Sequence, residues 1–254
     1  RDAGEALAPM IGYLPQNHGY YEWMTLREYL EYFALLTSRT WMRLEREGSA
    51  GENAGVLATP SGRERAILKA SEAVNLRDGL DTRLGEFSGG MRQRAGLARV
   101  LLHAPPILIV DEPTAGLDPV ERTRVRMLLT RLAEERTVIF STHIVEDLEE
   151  ACDGVGILHE GRLLYSGAPE ALRARWKGRI WRAPAGNGDG ERMRDRISAR
   201  GGRVLFRYSE GGEEGWRFIA KDPAVGAARE EEPTLEDALL GTLGEERENY
   251  VRRS

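Results

Sequence analysis

One segment constrains this chain more than any other. Ile107-Leu108-Ile109-Val110 is apolar at every position and lies between Pro105-Pro106 and Asp111-Glu112-Pro113. A run this short and this uniformly apolar predicts a parallel strand buried on both faces. Its C-terminal end carries two adjacent carboxylates, at the edge where α/β sheets hold their ligands.

The surrounding pattern agrees with an α/β layer. Ile11–Leu14 and Thr137–Ser141 read as further strands, the second again buried. Helices are predicted from Thr25, where Glu28 completes a capping box, and from Ser61, where Glu64 repeats it. Two more run over Gly89–His103 and from Asp118-Pro119, with proline at the first helical position. A short acidic helix follows His143. Gly48–Gly62 reads as a loop, and Gly154–Gly167 as a hairpin turning at Glu160-Gly161. Strand–helix–strand alternation implies a parallel sheet. The texture changes after Leu172. A Pro/Gly-rich stretch over Ala183–Gly190 precedes a short Arg-rich helix, Glu191–Arg200, that reads as a solvated face. A hairpin of Val204–Tyr208 with Trp216–Ala220 and a last helix from Thr234 complete a small α+β appendage. The expected domains are residues 1–172 and 173–254.

Composition narrows the function. The 36 Lys+Arg against 41 Asp+Glu give a net charge of −5, which argues against a nucleic-acid partner. No stretch approaches the roughly 18 consecutive apolar residues of a membrane span. One cysteine, Cys152, allows no internal disulfide framework.

Three motifs carry chemistry. Asp111 and Glu112 can divide between holding Mg²⁺ and polarising a water. Ser88-Gly89-Gly90 precedes a helix, so a hydroxyl, free N–H groups and the positive helix end meet at one anion site. Thr142-His143 ends the third strand, where a polar side chain can reach a phosphate oxygen. Taken singly each has an ordinary reading: a strand ending in solvated acids, a helix cap with a flexible loop, a polar cap. Gln16 after the first strand is equally plain. His18 and His159 read as loop residues, and His103 as a cation at a helix C-terminus.

Their order and spacing together resemble the ATP-binding subunit of ABC (ATP-binding cassette) transporters. Gln16 matches the Q-loop, Phe87–Gln93 the signature motif, Ile107–Glu112 the Walker B strand, Gly116–Asp118 the D-loop and His143 the switch histidine. The resemblance covers about residues 10–172. Phe87 stands where Leu is usual and Met91 where Gln is usual. Gly12–Gln16 running into Trp23–Glu28, with the tail Glu232–Ala238, is similar to single-module drug- and lipid-exporting systems.

The resemblance implies a P-loop NTPase core of the RecA-like, ABC type. A helical subdomain at about residues 25–104 would be inserted in it, with the α+β appendage following. It implies ATP and Mg²⁺ as cofactors, a transmembrane permease subunit as partner, and a peripheral place on the cytoplasmic face of the cell membrane. A second ATP-binding subunit, identical or not, would sandwich each ATP against Ser88, Gly89 and Gly90. Asp111 would hold Mg²⁺ and Glu112 act as general base. His143 would bind the γ-phosphate, Gln16 would help position metal and water, and Asp118 would touch the facing phosphate loop. Tyr20, Tyr21, Trp23 and Met24 would line the groove for the permease. Ribosome- or DNA-directed ABC ATPases are the rival class; this chain shows neither paired cassettes nor long heptads.

One element of that family is absent. A phosphate loop ends Gly-Lys-Ser/Thr, yet Lys69, Lys177 and Lys221, the three lysines present, precede Ala, Gly and Asp. The chain also opens on Arg1. Two expectations follow: a polypeptide lacking the N-terminal part that holds the loop and further strands, or a non-hydrolysing partner that has shed it.

Overall fold

β2 (Ile107–Asp111) is the central strand of a three-stranded parallel sheet, flanked by β1 (Ile11–Leu14) and β3 (Thr137–Ser141). Tyr13, Ile109 and Ile139 share one row across it, and Leu14, Val110 and Phe140 the next. The computed structural model describes residues 7, 10–46, 54–184, 190–210, 213–223 and 228–253. Contacts divide the chain into Arg1–Ala151 and Cys152–Ser254.

In the first unit α1 (Leu26–Arg46), α2 (Ala54–Ala58), α3 (Pro60–Ala73), α4 (Gly89–Leu101), α5 (Pro119–Ala133) and α6 (Val145–Ala151) accompany the sheet. The expectation of strands buried on both faces is corrected. Leu14, Leu108 and Val110 are fully buried in the core with Leu97, Ala98, Val125 and Leu129. Tyr13 and Ile139 on the opposite face are each 53% exposed. Among the described residues the helices α4 and α5 cover one side, so burial alternates along each strand.

Thr25 and Glu28 form the expected capping box, with Thr25 N–H donating to Glu28 Oε2 at 2.8 Å and Glu28 N–H to Thr25 Oγ1 at 3.2 Å. The second helix starts earlier than expected. Thr59, not Ser61, accepts from Gly62 N–H at 3.1 Å, and Pro60 takes the first helical position. Glu64 is thereby released to pair with Arg27 at 2.8 Å. The expected loop Gly48–Gly62 is helical from Ala54; residues 48–53 of it lie outside the described residues. Gly62 is needed there because a Cβ would strike the Val56 carbonyl.

The second unit begins with the hairpin β4 (Val155–His159) and β5 (Arg162–Gly167). Glu160 (φ +47°) and Gly161 (φ +75°) turn it as the sequence indicates. α7 (Pro169–Ala174), β6 (Ile180–Pro184), α8 (Gly190–Ala199), β7 (Arg203–Glu210), β8 (Glu213–Ile219), β9 (Arg229–Glu230) and α9 (Leu235–Arg253) follow. The last four strands form a sheet of order β7-β8-β6-β9, all pairs antiparallel. The hairpin falls in this unit, ahead of the boundary after residue 172, because α7 and α9 pack on β5.

Candidate functional site

Three parallel strands end side by side, and each delivers a candidate group. Gln16 is exposed just beyond β1, Asp111 closes β2, and Ser141-Thr142-His143 closes β3. Asp111 and Ser141 are register partners, and Ser141 Oγ donates to Asp111 Oδ1. Glu112 N–H donates to Ser141 Oγ at 3.0 Å and Ser141 O at 3.2 Å. Glu112 itself adopts φ +48°, a left-handed conformation that a side chain resists. This backbone leaves its Oε2 2.7 Å from His143 Nδ1. Asp111 and Ser141 are in contact here, and each carries an oxygen of the hard type that Mg²⁺ takes.

Behind this edge lies a residue the sequence reading passed over. Asp147 on α6 is fully buried. It accepts from Thr114 Oγ1, from Thr142 Oγ1 at 3.3 Å and from Arg126 Nη1 at 3.3 Å. One carboxylate thus fastens the turn after Glu112, the residue before His143 and helix α5. Its only sequence signal is an acid in the first turn of a helix, a common feature.

Ser88 caps α4, accepting from Met91 N–H at 3.2 Å. The two glycines after it differ. Gly89 is exposed, and a Cβ there would meet only Leu117 at 3.7 Å. Gly90 is buried, and the carboxylate of Glu121 fills the space beside it, with Cδ 2.6 Å from where a Cβ would stand. Space at Gly90 is therefore taken by a neighbouring helix, whereas Gly89 is exposed at the start of α4. Glu121 is held by Arg94 at 3.6 Å and by Arg124. Asp118 caps α5 through Val120 N–H at 3.0 Å and Glu121 N–H at 2.9 Å, both to Oδ1.

The segment after Gln16 is pinned to α4. His18 Nε2 lies 3.3 Å from Arg92 O, and its ring occupies the notch at Gly96, where a Cβ would come within 2.7 Å of Cδ2. Arg92 Nη1 donates to Tyr20 Oη at 2.8 Å, and the guanidinium lies 4.9 Å over the Tyr20 ring. Burial pushes the His18 pKa below its usual 6.5. Arg99 adds to this, and the carbonyls of Arg92 and Pro15 oppose it. His18 is thus the loop residue expected, with its ring packed against α4. Burial lowers His103 too, against its reading as a helix-end cation. The four expected docking residues separate: Tyr20 and Met24 pack on the core, while Tyr21 and Trp23 (67% exposed) face outward with Tyr32, ring centroids 5.9 and 6.0 Å from Tyr21.

Comparison with known proteins completes the picture. The family model described as ABC transporter matches residues 2–115, a span that includes Gln16, Ser88–Gly90, Asp111 and Glu112. The chain is 35% identical over 164 residues to the uncharacterized ABC transporter ATP-binding protein YxlF of Bacillus subtilis (strain 168), covering 65% of this chain and 49% of that protein. It is 42% identical over 137 residues to the bacitracin transport ATP-binding protein BcrA of Bacillus licheniformis, covering 48% and 45%. With the Nod factor export ATP-binding protein I of Rhizobium sp. (strain N33) it shares 42% identity over 113 residues, covering 43% and 36%. The chain spans about half the length of these curated relatives, or less. Residues 2–115 thus match the model described as ABC transporter, and the chain is similar over up to 164 residues to proteins named as ABC transporter ATP-binding proteins, in keeping with its α/β site.

Proposed function

We propose that this chain is the catalytic-carboxylate and signature portion of an ATP-hydrolysing subunit that drives export through a separate transmembrane permease. The observation that carries this reading is the Glu112–His143 pair at the ends of β2 and β3. Glu112 accepts the proton of an attacking water at a carboxylate oxygen. His143 orients that carboxylate through Nδ1. With Nδ1 taken by Glu112, Nε2 is the ring nitrogen left to meet a phosphate oxygen. Asp111 and Gln16 would hold Mg²⁺, which when bound neutralises phosphate charge. Ser88 Oγ, Gly89 and the N–H groups that open α4 would bind phosphate oxygens of a nucleotide held by a second subunit, with Gly90 packed behind them and Asp118 shaping the adjoining turn.

Export as the process, and a permease and second cassette as partners, are inferences from relatives described as serving bacitracin transport and Nod factor export. Tyr21 and Trp23 would offer the permease an aromatic surface, and the subunit would sit peripherally at the cytoplasmic membrane face.

A second reading is a non-hydrolysing partner cassette. One assay addresses both. ATPase activity is measured for this chain and for the polypeptide encoded by the reading frame extended upstream, each with Glu112 or Glu112→Gln. The proposal expects hydrolysis once a phosphate loop is present, and a fall of about 10²–10⁴-fold in the Gln variant. Undiminished hydrolysis in Glu112→Gln overturns the assignment, and a start codon at the present boundary favours the partner cassette.

A further inference from the structure

The second unit holds a cleft that the nucleotide reading does not use. Its volume is about 600 Å³, and four cations, Arg179, Arg200, Arg203 and Lys221, line it against two acids, Asp222 and Glu245. In a chain whose net charge is −5, this is a local reversal of sign.

The back wall is built into α9. Gly241 and Gly244 stand inside that helix, where glycine weakens it and calls for a packing reason. A Cβ at Gly241 would come within 2.5 Å of the Trp176 ring, and one at Gly244 would strike the Arg203 guanidinium. The missing side chains let both groups lie against the helix. Arg203 Nη2 donates to Leu240 O at 2.9 Å and Gly241 O at 3.0 Å. Arg179 lies 4.3 Å over the Trp176 ring and grips Glu245 Oε1 with both terminal nitrogens at 3.0 Å. Two guanidinium groups are thus fixed before any ligand arrives.

The rim differs. Arg200 follows α8 and Lys221 follows β8; both are exposed, and neither side chain has an ion-pair or hydrogen-bond partner among the described residues. Fixed cations behind and free cations in front suit a ligand with at least two negative charges. Guanidinium geometry favours phosphate.

We propose that this cleft is a binding site for a multiply charged phosphate group, either a soluble organic phosphate or the phosphate headgroup of an anionic lipid. The site is separate from the nucleotide chemistry of the first unit, so the proposal stands or falls without it.

The test titrates inorganic pyrophosphate into the full 254-residue chain by calorimetry and, in a parallel arm, sediments the chain with vesicles containing phosphatidic acid, whose phosphomonoester headgroup can carry two charges. Arg200→Glu/Lys221→Glu is compared with Arg65→Glu/Lys69→Glu, which makes the same charge change on exposed positions of α3. Saturable pyrophosphate binding that weakens about tenfold or more in the first variant and not the second supports a soluble phosphate ligand. Vesicle binding lost in the same selective way supports a lipid headgroup. Thermal melts of both variants should match the parent, since neither rim residue has a partner to lose. Binding in neither arm, or binding that falls equally in both variants, overturns the proposal.

Discussion

His143 Nδ1 stands 2.7 Å from Glu112 Oε2, and the contact joins residues that end two neighbouring parallel strands. It exists because Glu112 turns into a left-handed conformation directly after Asp111. The carboxylate is delivered by backbone strain, held by the two hydrogen bonds from Glu112 N–H to Ser141.

That strain has a measurable consequence. Glu112→Gly should be more stable than Glu112→Ala by about 1 kcal/mol, because only alanine keeps a Cβ at positive φ. Both lack the carboxylate, so the difference isolates the backbone. Urea denaturation of the two variants measures it; equal midpoints and slopes would remove the strain argument.

The seat of His18 at Gly96 predicts coupling between them. Gly96→Ala should cost about 1–3 kcal/mol, as the added methyl drives the imidazole from its notch. His18→Ala/Gly96→Ala should recover part of that loss, since the smaller residue at 18 makes room. A double-mutant cycle by chemical denaturation gives the interaction energy. Strict additivity would mean that the ring does not occupy the notch.

Acid should weaken the first unit. His18 and His103 both have folded-state pKa values below the ordinary 6.5, so the unfolded chain binds more protons as pH falls under that value. Their contribution to stability is complete above about pH 6.5 and is lost as pH drops toward the lowered values. Melting temperature measured from pH 7.5 to 5 should therefore fall on the acid side, and His18→Gln/His103→Gln should flatten that slope. A parent and double variant with parallel profiles would contradict it.

Asp147→Ala should be among the most damaging single changes in the first unit. It leaves Arg126 without its buried partner and frees Thr114 and Thr142 together, at a cost of about 3–5 kcal/mol. Hydrogen exchange should quicken at residues 114–118 and 142–146 in the same variant. Protection unchanged at both places would show that the two turns are held by something else.

The motif residues were legible because their chemistry is local: an apolar run meeting two acids, a Ser-Gly-Gly ahead of a helix, a polar pair closing a strand. The capping box at Thr25 and the turn at Glu160-Gly161 belong to the same class. Asp147, Glu121 and His18 were not legible, because each acts on a residue reached only by folding, such as Thr114, Gly90 or Gly96. β6 escaped because Ile180–Pro184 mixes a charge and a proline, and only its antiparallel neighbours β8 and β9 make it a strand. The cap at Thr59 was outcompeted by a better-looking Ser61–Glu64 pattern, although Pro60 marked the true start. Exposure of Tyr13 and Ile139 could not be read either, since apolar residues on an uncovered sheet face look like buried ones.

Gly89 and Gly90 are adjacent, identical in type and would be indistinguishable in a sequence logo. A selection for folding alone should nonetheless pass alanine at 89 and reject it at 90, whereas a selection for nucleotide turnover should reject both. Shrinking position 121 would then restore Gly90→Ala in either screen and do nothing for Gly89→Ala. The two glycines would thus answer to different neighbours, Gly90 to the packed helix that carries Glu121 and Gly89, on the proposed function, to a phosphate.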